Sequence, residues 1–263
     1  MIHNKMNLSD KKRSQRALHI RHNLFNSLLL AISILVLITG CDFLESTGIS
    51  SIEFEYDFTE STHNMEAFFT GYPVGWGENM ELTSEYRSLP EPLDTENDAH
   101  FISAINHSDN VKMLFRKQVE GLEPNNTYAV GYTVEFATDS PSNAAGIGGA
   151  PGESVKVIAA SSTLKPEPII DENSHDDGYY LLNTQYNDDP AAWYDNAIMG
   201  DVANSRQYED GREFELKEVS SVVGHDQVTT DENGEAWILF GTRSGFEGQT
   251  DLYYTYLSVE FVK

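Results

Sequence analysis

Beyond residue 50, apolar and polar residues alternate in short runs, and no segment sustains the three-to-four-residue spacing of an amphipathic helix. Ile52, Phe54, Tyr56 and Phe58 alternate with Glu53, Glu55 and Asp57. This predicts a half-buried strand with one apolar face and one row of carboxylates. Similar patterns predict strands over residues 65–69, 80–86, 100–106, 111–119, 127–138, 154–161, 178–182, 213–219, 236–241 and 252–262. Asp177-Gly178, Asp210-Gly211 and Asn233-Gly234 are pairs that tight turns favour, because both members tolerate positive φ. With no internal repeat and no Pro/Ser-rich linker, the pattern predicts an all-β chain, one two-sheet antiparallel β-sandwich over 51–263. Residues 166–212 are rich in Asp, Asn and Pro with little alternation, and read as long loops in which function often sits.

The first forty residues have a different character. Lys5, Lys11, Lys12, Arg13, Arg16 and Arg21 precede an apolar run from Leu28 to Ile38. That run is shorter than the roughly 20 residues a spanning helix needs and suits a cleavable signal peptide. Leu37-Ile-Thr-Gly-Cys41 follows and resembles the lipobox of bacterial lipoproteins. The resemblance implies diacylglyceryl attachment to the Cys41 thiol, cleavage before it, and acylation (palmitate or a similar chain) of the new amine. Residues 42–50 would then be a tether. Each buried methylene contributes about 0.8 kcal/mol, so several acyl chains would anchor the protein stably to a lipid bilayer. The expected location is the cell envelope, outside the cytoplasm and on the periplasmic side in a Gram-negative cell. Asp42 resembles the inner-membrane retention signal of enteric bacteria. Cys41 is also the only cysteine, which excludes an intramolecular disulfide, a cysteine zinc cluster and a catalytic thiol.

Removal of residues 1–40 leaves 11 basic against 41 acidic residues, a net charge of −30. Such a charge disfavours nucleic acid and anionic head groups as partners, and favours solubility or a saline setting.

Leu114-Phe-Arg-Lys-Gln-Val-Glu-Gly-Leu-Glu-Pro-Asn-Asn-Thr-Tyr-Ala-Val-Gly-Tyr-Thr-Val-Glu-Phe136 contains a turn at Pro124-Asn125 and then a strand whose Tyr128, Val130, Tyr132, Val134 and Phe136 share one face. The segment resembles the strand, turn and strand of carbohydrate-binding modules and related jelly-roll sandwiches. It covers about a tenth of the chain, and fibronectin-type domains use a similar turn. The chain after Cys41, including 146–154, 200–204 and 241–248, is also similar to bacterial lipoproteins to which no activity is attached. The likeness implies a jelly-roll sandwich that binds an extracellular glycan.

Candidate chemistry is sparse. Glu55-Tyr-Asp-Phe-Thr-Glu60 resembles the Glu-x-Asp-x-x-Glu motif of retaining β-glucanases, whose two carboxylates stand about 5 Å apart. Glu55 and Asp57 share a strand face, whereas Glu60 joins them only across a bulge. Gly146–Ser154 has Glu153 where a phosphate loop needs lysine, and reads as a glycine-rich connection. Ser162-Thr-Leu-Lys165 and Ser108-Asp-Asn110 copy fragments of penicillin-recognising enzymes in the wrong order. Asp171, Asp176, Asp177, Asp188 and Asp189 crowd the loop region, and oxygen ligands of this kind suit Ca²⁺. Trp76, Tyr179, Tyr180, Trp193 and Tyr194 offer faces on which a sugar ring could stack.

These features predict a lipid-anchored, non-catalytic sandwich that binds a glycan or other extracellular ligand, with Ca²⁺ as a candidate cofactor. Two alternatives stay open. One is a structural or interaction protein of the envelope, in which the aromatics of 179–194 are buried. The other is a glycosidase with Glu55, Asp57 and Glu60 at the floor of a groove.

Overall fold

The computed structural model describes residues 50–174, 177–186 and 197–263, except the side chains of 185 and 186. The signal segment 1–40, Cys41 and the tether up to residue 49 lie outside the described residues. So do Asp176, Asp188, Asp189, Trp193 and Tyr194. The compact unit runs from Ser51 to Lys263.

In chain order its strands are β1 (Ser51–Asp57), β2 (Glu66–Thr70), β3 (Tyr72–Pro73), β4 (Thr83–Ser88), β5 (Asp98–Ile105), β6 (Lys112–Val119), β7 (Thr127–Thr138) and β8 (Val155–Ser162). They continue with β9 (Pro168–Asp171), β10 (Tyr179–Leu182), β11 (Ile198–Asp201), β12 (Glu215–Ser220), β13 (Asp226–Thr229), β14 (Ala236–Ser244) and β15 (Gln249–Val262). Two short 3-10 turns, Asn183–Tyr186 and Tyr208–Asp210, interrupt them.

Seven strands form one antiparallel sheet with the path β12-β7-β15-β5-β4, to which β1 and β13 add at β15 and β7. Five form a second sheet, β11-β8-β14-β6-β2, and β3-β10-β9 make a small third one. The pairings β5/β15, β6/β14, β7/β12 and β8/β11 nest the first strand against the last, like a long hairpin rolled into a sandwich. That is the jelly-roll connectivity, read from the strand order itself.

The core lies between the two large sheets. Tyr56, Val130, Val134, Phe136, Leu257, Val259 and Phe261 come from one sheet, and Met113, Phe115, Val155, Val157 and Phe240 from the other. Full burial of one such side chain contributes about 1.5–3 kcal/mol. The pattern in β15 shows how sequence selects the register. Leu252 and Tyr254 face the core at even positions, Leu257, Val259 and Phe261 at odd ones, and the pairing with β7 shifts between Tyr254 and Tyr256. Thr255 is the extra residue, a β-bulge that restores the apolar face after the parity change. Its hydroxyl donates to Glu135 Oε1 at 2.7 Å, and its carbonyl accepts from the Phe58 amide at 2.8 Å. At this point the neighbour of β15 changes from β5 to β1.

Every strand expected from alternation has a counterpart. β4 starts three residues late, because Glu81 adopts φ 49° and Met80 is a fully buried plug whose carbonyl accepts from the Ile105 amide. The segment 166–212 also holds β9 and β11, which were expected to be loop. In β11, Ile198 packs against the outer cluster and Met199 against the core. A strand apolar on both sides shows no alternation. The turn at Pro124-Asn125 forms as expected: Asn125 sits at φ 53°, and the Tyr128 hydroxyl accepts from the Glu123 amide at 3.0 Å.

Candidate functional site

A cleft of about 620 Å³ opens at the end of the sandwich where β5 passes to β6 and β14 to β15. Its first wall is the loop His107–Asn110. Buried Asn106 fixes that loop by donating to the carbonyls of Ser244 (3.0 Å) and Phe246 (2.8 Å), while its own oxygen accepts from the Ser108 amide at 3.0 Å. Every polar group of this asparagine serves the scaffold, as burial demands.

The second wall is β10, through Tyr179 and Leu181. β10 is held against the sandwich by its neighbours. The Tyr180 carbonyl accepts from the Gly71 amide (2.7 Å) and the Thr70 hydroxyl (2.9 Å), and Val74 donates to the Gly178 carbonyl at 3.0 Å. The Gly71 carbonyl in turn accepts from Tyr179 (2.6 Å) and Ser108 (2.7 Å), joining both walls at one atom. A tight turn follows β3, with Gly75 at φ 83° and the Trp76 amide donating to Pro73 at 3.2 Å. It brings Trp76 to the rim, 43% exposed, where Pro73 also lines the cleft.

The floor is Arg243 of β14. Its Nε–H donates to Asn110 Oδ1 at 2.9 Å. The ammonium of fully buried Lys112 lies 3.4 Å from the same oxygen. Burial, with the neighbouring charge of Arg243, pushes the Lys112 pKa down to about 7. The Tyr179 hydroxyl is pushed up, first by burial and further by the Asp109 carboxylate, against hydrogen bonds from Ser108 and Asn110 that pull it down. The cleft therefore offers one aromatic face beside a guanidinium, an amide, an imidazole, a carboxylate and hydroxyls. Such a set can stack on a flat ring and bond to its substituents.

The structure brings together two of the aromatics singled out in the sequence, Trp76 and Tyr179, in different roles. Trp76 is a platform, whereas Tyr179 is buried and braces the wall. Tyr180 does not line this cleft; its ring packs on Tyr72 at 5.1 Å between centroids. His107, Ser108, Asp109, Asn110 and Arg243 were not foreseen as a binding set. The signal available was the turn-rich run from Asn106 to Asn110 between two strong strands.

The carboxylates Glu55, Asp57 and Glu60 are engaged locally and do not line the cleft. Glu55 accepts from the Tyr256 hydroxyl at 2.5 Å, and Asp57 accepts from the Thr59 amide (2.9 Å) and hydroxyl (2.6 Å). β1 ends at Asp57 with no bulge in its pairing, and Glu60 follows in a turn whose amide reaches the Asp57 carbonyl at 3.3 Å. Of the acidic loop residues, Asp171 accepts from the Asn173 amide (3.0 Å) and the Ser174 hydroxyl (2.6 Å), and Asp177 is exposed in the turn before Gly178. Among the described residues no three acidic, histidine or cysteine side chains are grouped to hold a metal ion.

No family model matches the sequence, and no curated protein matches it. Among solved structures, the chain is similar to a carbohydrate-binding module with specific mannan recognition at 10% identity, covering 81% of this chain and 98% of that one, with a TM-score of 0.35. It is similar to a protein described as sugar-binding from Bacteroides thetaiotaomicron VPI-5482 at 10% identity, covering 77% and 90%, with a TM-score of 0.37. It is also similar to the K1 cleaved adhesin domain of Lys-gingipain from Porphyromonas gingivalis W83 at 7% identity, covering 79% and 97%, with a TM-score of 0.35. Superpositions this loose carry no argument about ligands, and the fold assignment rests on the strand pairings.

Proposed function

We propose that the protein is an envelope lipoprotein, anchored to a bacterial membrane through acylated Cys41, whose β-sandwich binds a glycan without catalysing its cleavage. The observation that carries the glycan reading is the cleft that sets Trp76 at its rim, opposite polar groups pinned to the scaffold. An exposed indole buries a large apolar face at little entropic cost, and fixed donors and acceptors then select the hydroxyl pattern. The anchor rests on the order of basic residues, apolar run, small residues and cysteine in the sequence.

The test is a glycan array probed with the full-length chain, with Ca²⁺ and with chelator. Saccharide binding that is lost in Trp76→Ala but retained in Tyr180→Phe supports the reading, and signal lost with chelator adds a calcium requirement. Silence of a folded protein across the array sinks it in favour of a structural or interaction role in the envelope. The anchor is tested separately, by incorporation of labelled palmitate into the wild type and its loss in Cys41→Ser.

A further inference from the structure

Residues 51–263 carry eleven basic residues against 39 acidic ones, yet three of the eleven stand in one line. Lys112 of β6 pairs with Arg243 of β14, and Arg243 pairs with Lys156 of β8. Direct antiparallel partners project to the same face of a sheet. Here it is the outer face, since the flanking Met113, Val155 and Val157 point into the core. Like charges directly opposite one another destabilise a sheet, and a buried ammonium costs more still. Nevertheless Lys112 is fully buried. Lys156 is half-buried and makes no hydrogen bond or ion pair with any described residue. Seven other cations, by contrast, each lie within 4 Å of a carboxylate: Arg87, Arg116, Lys165, Arg206, Arg212, Lys217 and Lys263.

A row that works against stability concentrates positive potential at the floor of the one cleft that presents an exposed tryptophan among the described residues. The Nε contact to Asn110 fixes the plane of the Arg243 guanidinium, the group best shaped to meet a planar carboxylate or a sulfate. Asp109 is the single carboxylate among the described lining residues, and it stands on the loop wall.

We propose that the Trp76 cleft selects an anionic saccharide, a glycan bearing carboxylate or sulfate groups, whose charged substituent rests on Arg243 within the field of Lys112 and Lys156. This rests on the glycan-binding reading and specifies its ligand class. Stacking on Trp76 would orient the ring, and the cation row would choose among rings that stack equally well.

The test is calorimetry on the full-length chain with neutral tetrasaccharides of glucose and mannose, a tetragalacturonate, and a sulfated galactan tetrasaccharide, each at low and high salt. The expected result is binding of at least one acidic oligosaccharide at least about tenfold tighter than the neutral ones, weakening as salt rises. Arg243→Ala should remove the preference and Arg243→Lys keep part of it. Lys156→Ala, outside the cleft and unlinked to the scaffold, should weaken acidic binding roughly threefold and leave neutral binding unchanged. Whichever acidic arm responds identifies the group as carboxylate or sulfate. Neutral sugars bound as tightly as acidic ones, with dependence on Trp76, would overturn the anionic inference and leave the glycan reading standing. No saccharide bound by a folded protein would overturn both.

Discussion

Arg243 donates its Nε–H to Asn110 Oδ1 at 2.9 Å, the oxygen that also lies 3.4 Å from the Lys112 ammonium. Only the oxygen of an amide can accept from two cations, so the orientation of Asn110 is set, and its nitrogen serves the Tyr179 hydroxyl as donor. One side chain thus links the floor of the cleft to both walls. Asn110→Ala is expected to leave these donors without their acceptor and to cost about 1–3 kcal/mol, read from denaturant midpoints. Asn110→Asp should move the Lys112 pKa upward from about 7, which the pH dependence of the lysine ε-carbon shift in NMR would record.

The buried ammonium also fixes a pH dependence of stability. The Lys112 pKa is lowered from 10.5 to about 7 in the folded state. Between those values the unfolded chain holds a proton that the folded chain has released. Stability therefore rises with pH across that window, with a slope of up to about 1.4 kcal/mol per pH unit, and the penalty is complete below it. Lys112→Met keeps the volume and removes the charge. The difference between wild type and Lys112→Met in urea unfolding should shrink as pH climbs from about 7 to 10. A constant difference would show that the amine is not desolvated.

Gly71 combines φ 83° with a close approach: a Cβ there would lie 2.0 Å from the Asn110 carbonyl oxygen and 3.2 Å from Lys112 Nζ. Gly211 has a similar φ of 78° with nothing within 4 Å. Gly71→Ala should cost roughly 3 kcal/mol or more and lower Tm by about 6–12 °C, because the backbone contact must open. Gly211→Ala should cost about 1 kcal/mol, the conformational part alone. Equal losses in thermal unfolding would deny that the Gly71 contact is tight.

Tyr254 is fully buried, and its hydroxyl finds no hydrogen-bond partner among the described residues. Burial drives its pKa far above the ordinary value for tyrosine, so the group stays neutral and its cost is that of an unsatisfied hydroxyl. Tyr254→Phe should stabilise the sandwich by about 1 kcal/mol or more. Destabilisation in urea unfolding would reveal a partner for the hydroxyl.

The sandwich was legible because alternation is the direct consequence of a sheet with one buried face, as in β1 and β7. It faded where that condition fails. β11 buries both faces through Ile198 and Met199, and β9 contributes four residues to a small sheet with half-exposed Ile170. The site was harder to read. Trp76 stood out as a tryptophan beside glycine, and Tyr179 as an aromatic in a loop-rich segment, but nothing local joins them. Their meeting depends on the Gly71 carbonyl, which both the Tyr179 and Ser108 hydroxyls reach across long stretches of chain. The cation row is equally invisible in sequence: Lys112, Lys156 and Arg243 become neighbours only through the register of three strands.

The chain has three tryptophans, Trp76, Trp193 and Trp237, so a proton–nitrogen NMR spectrum of the full-length protein carries three indole signals. Trp237 sits at the far end of β14 from Arg243, with Lys165 5.2 Å over its ring. The most direct measurement is to follow these signals, assigned by single Trp→Phe replacements, while titrating the saccharide bound best on the array. The cleft account predicts a saturable shift of the Trp76 indole with Trp237 unmoved. A shift confined to Trp237, or saccharide binding that leaves Trp76 untouched, would contradict it.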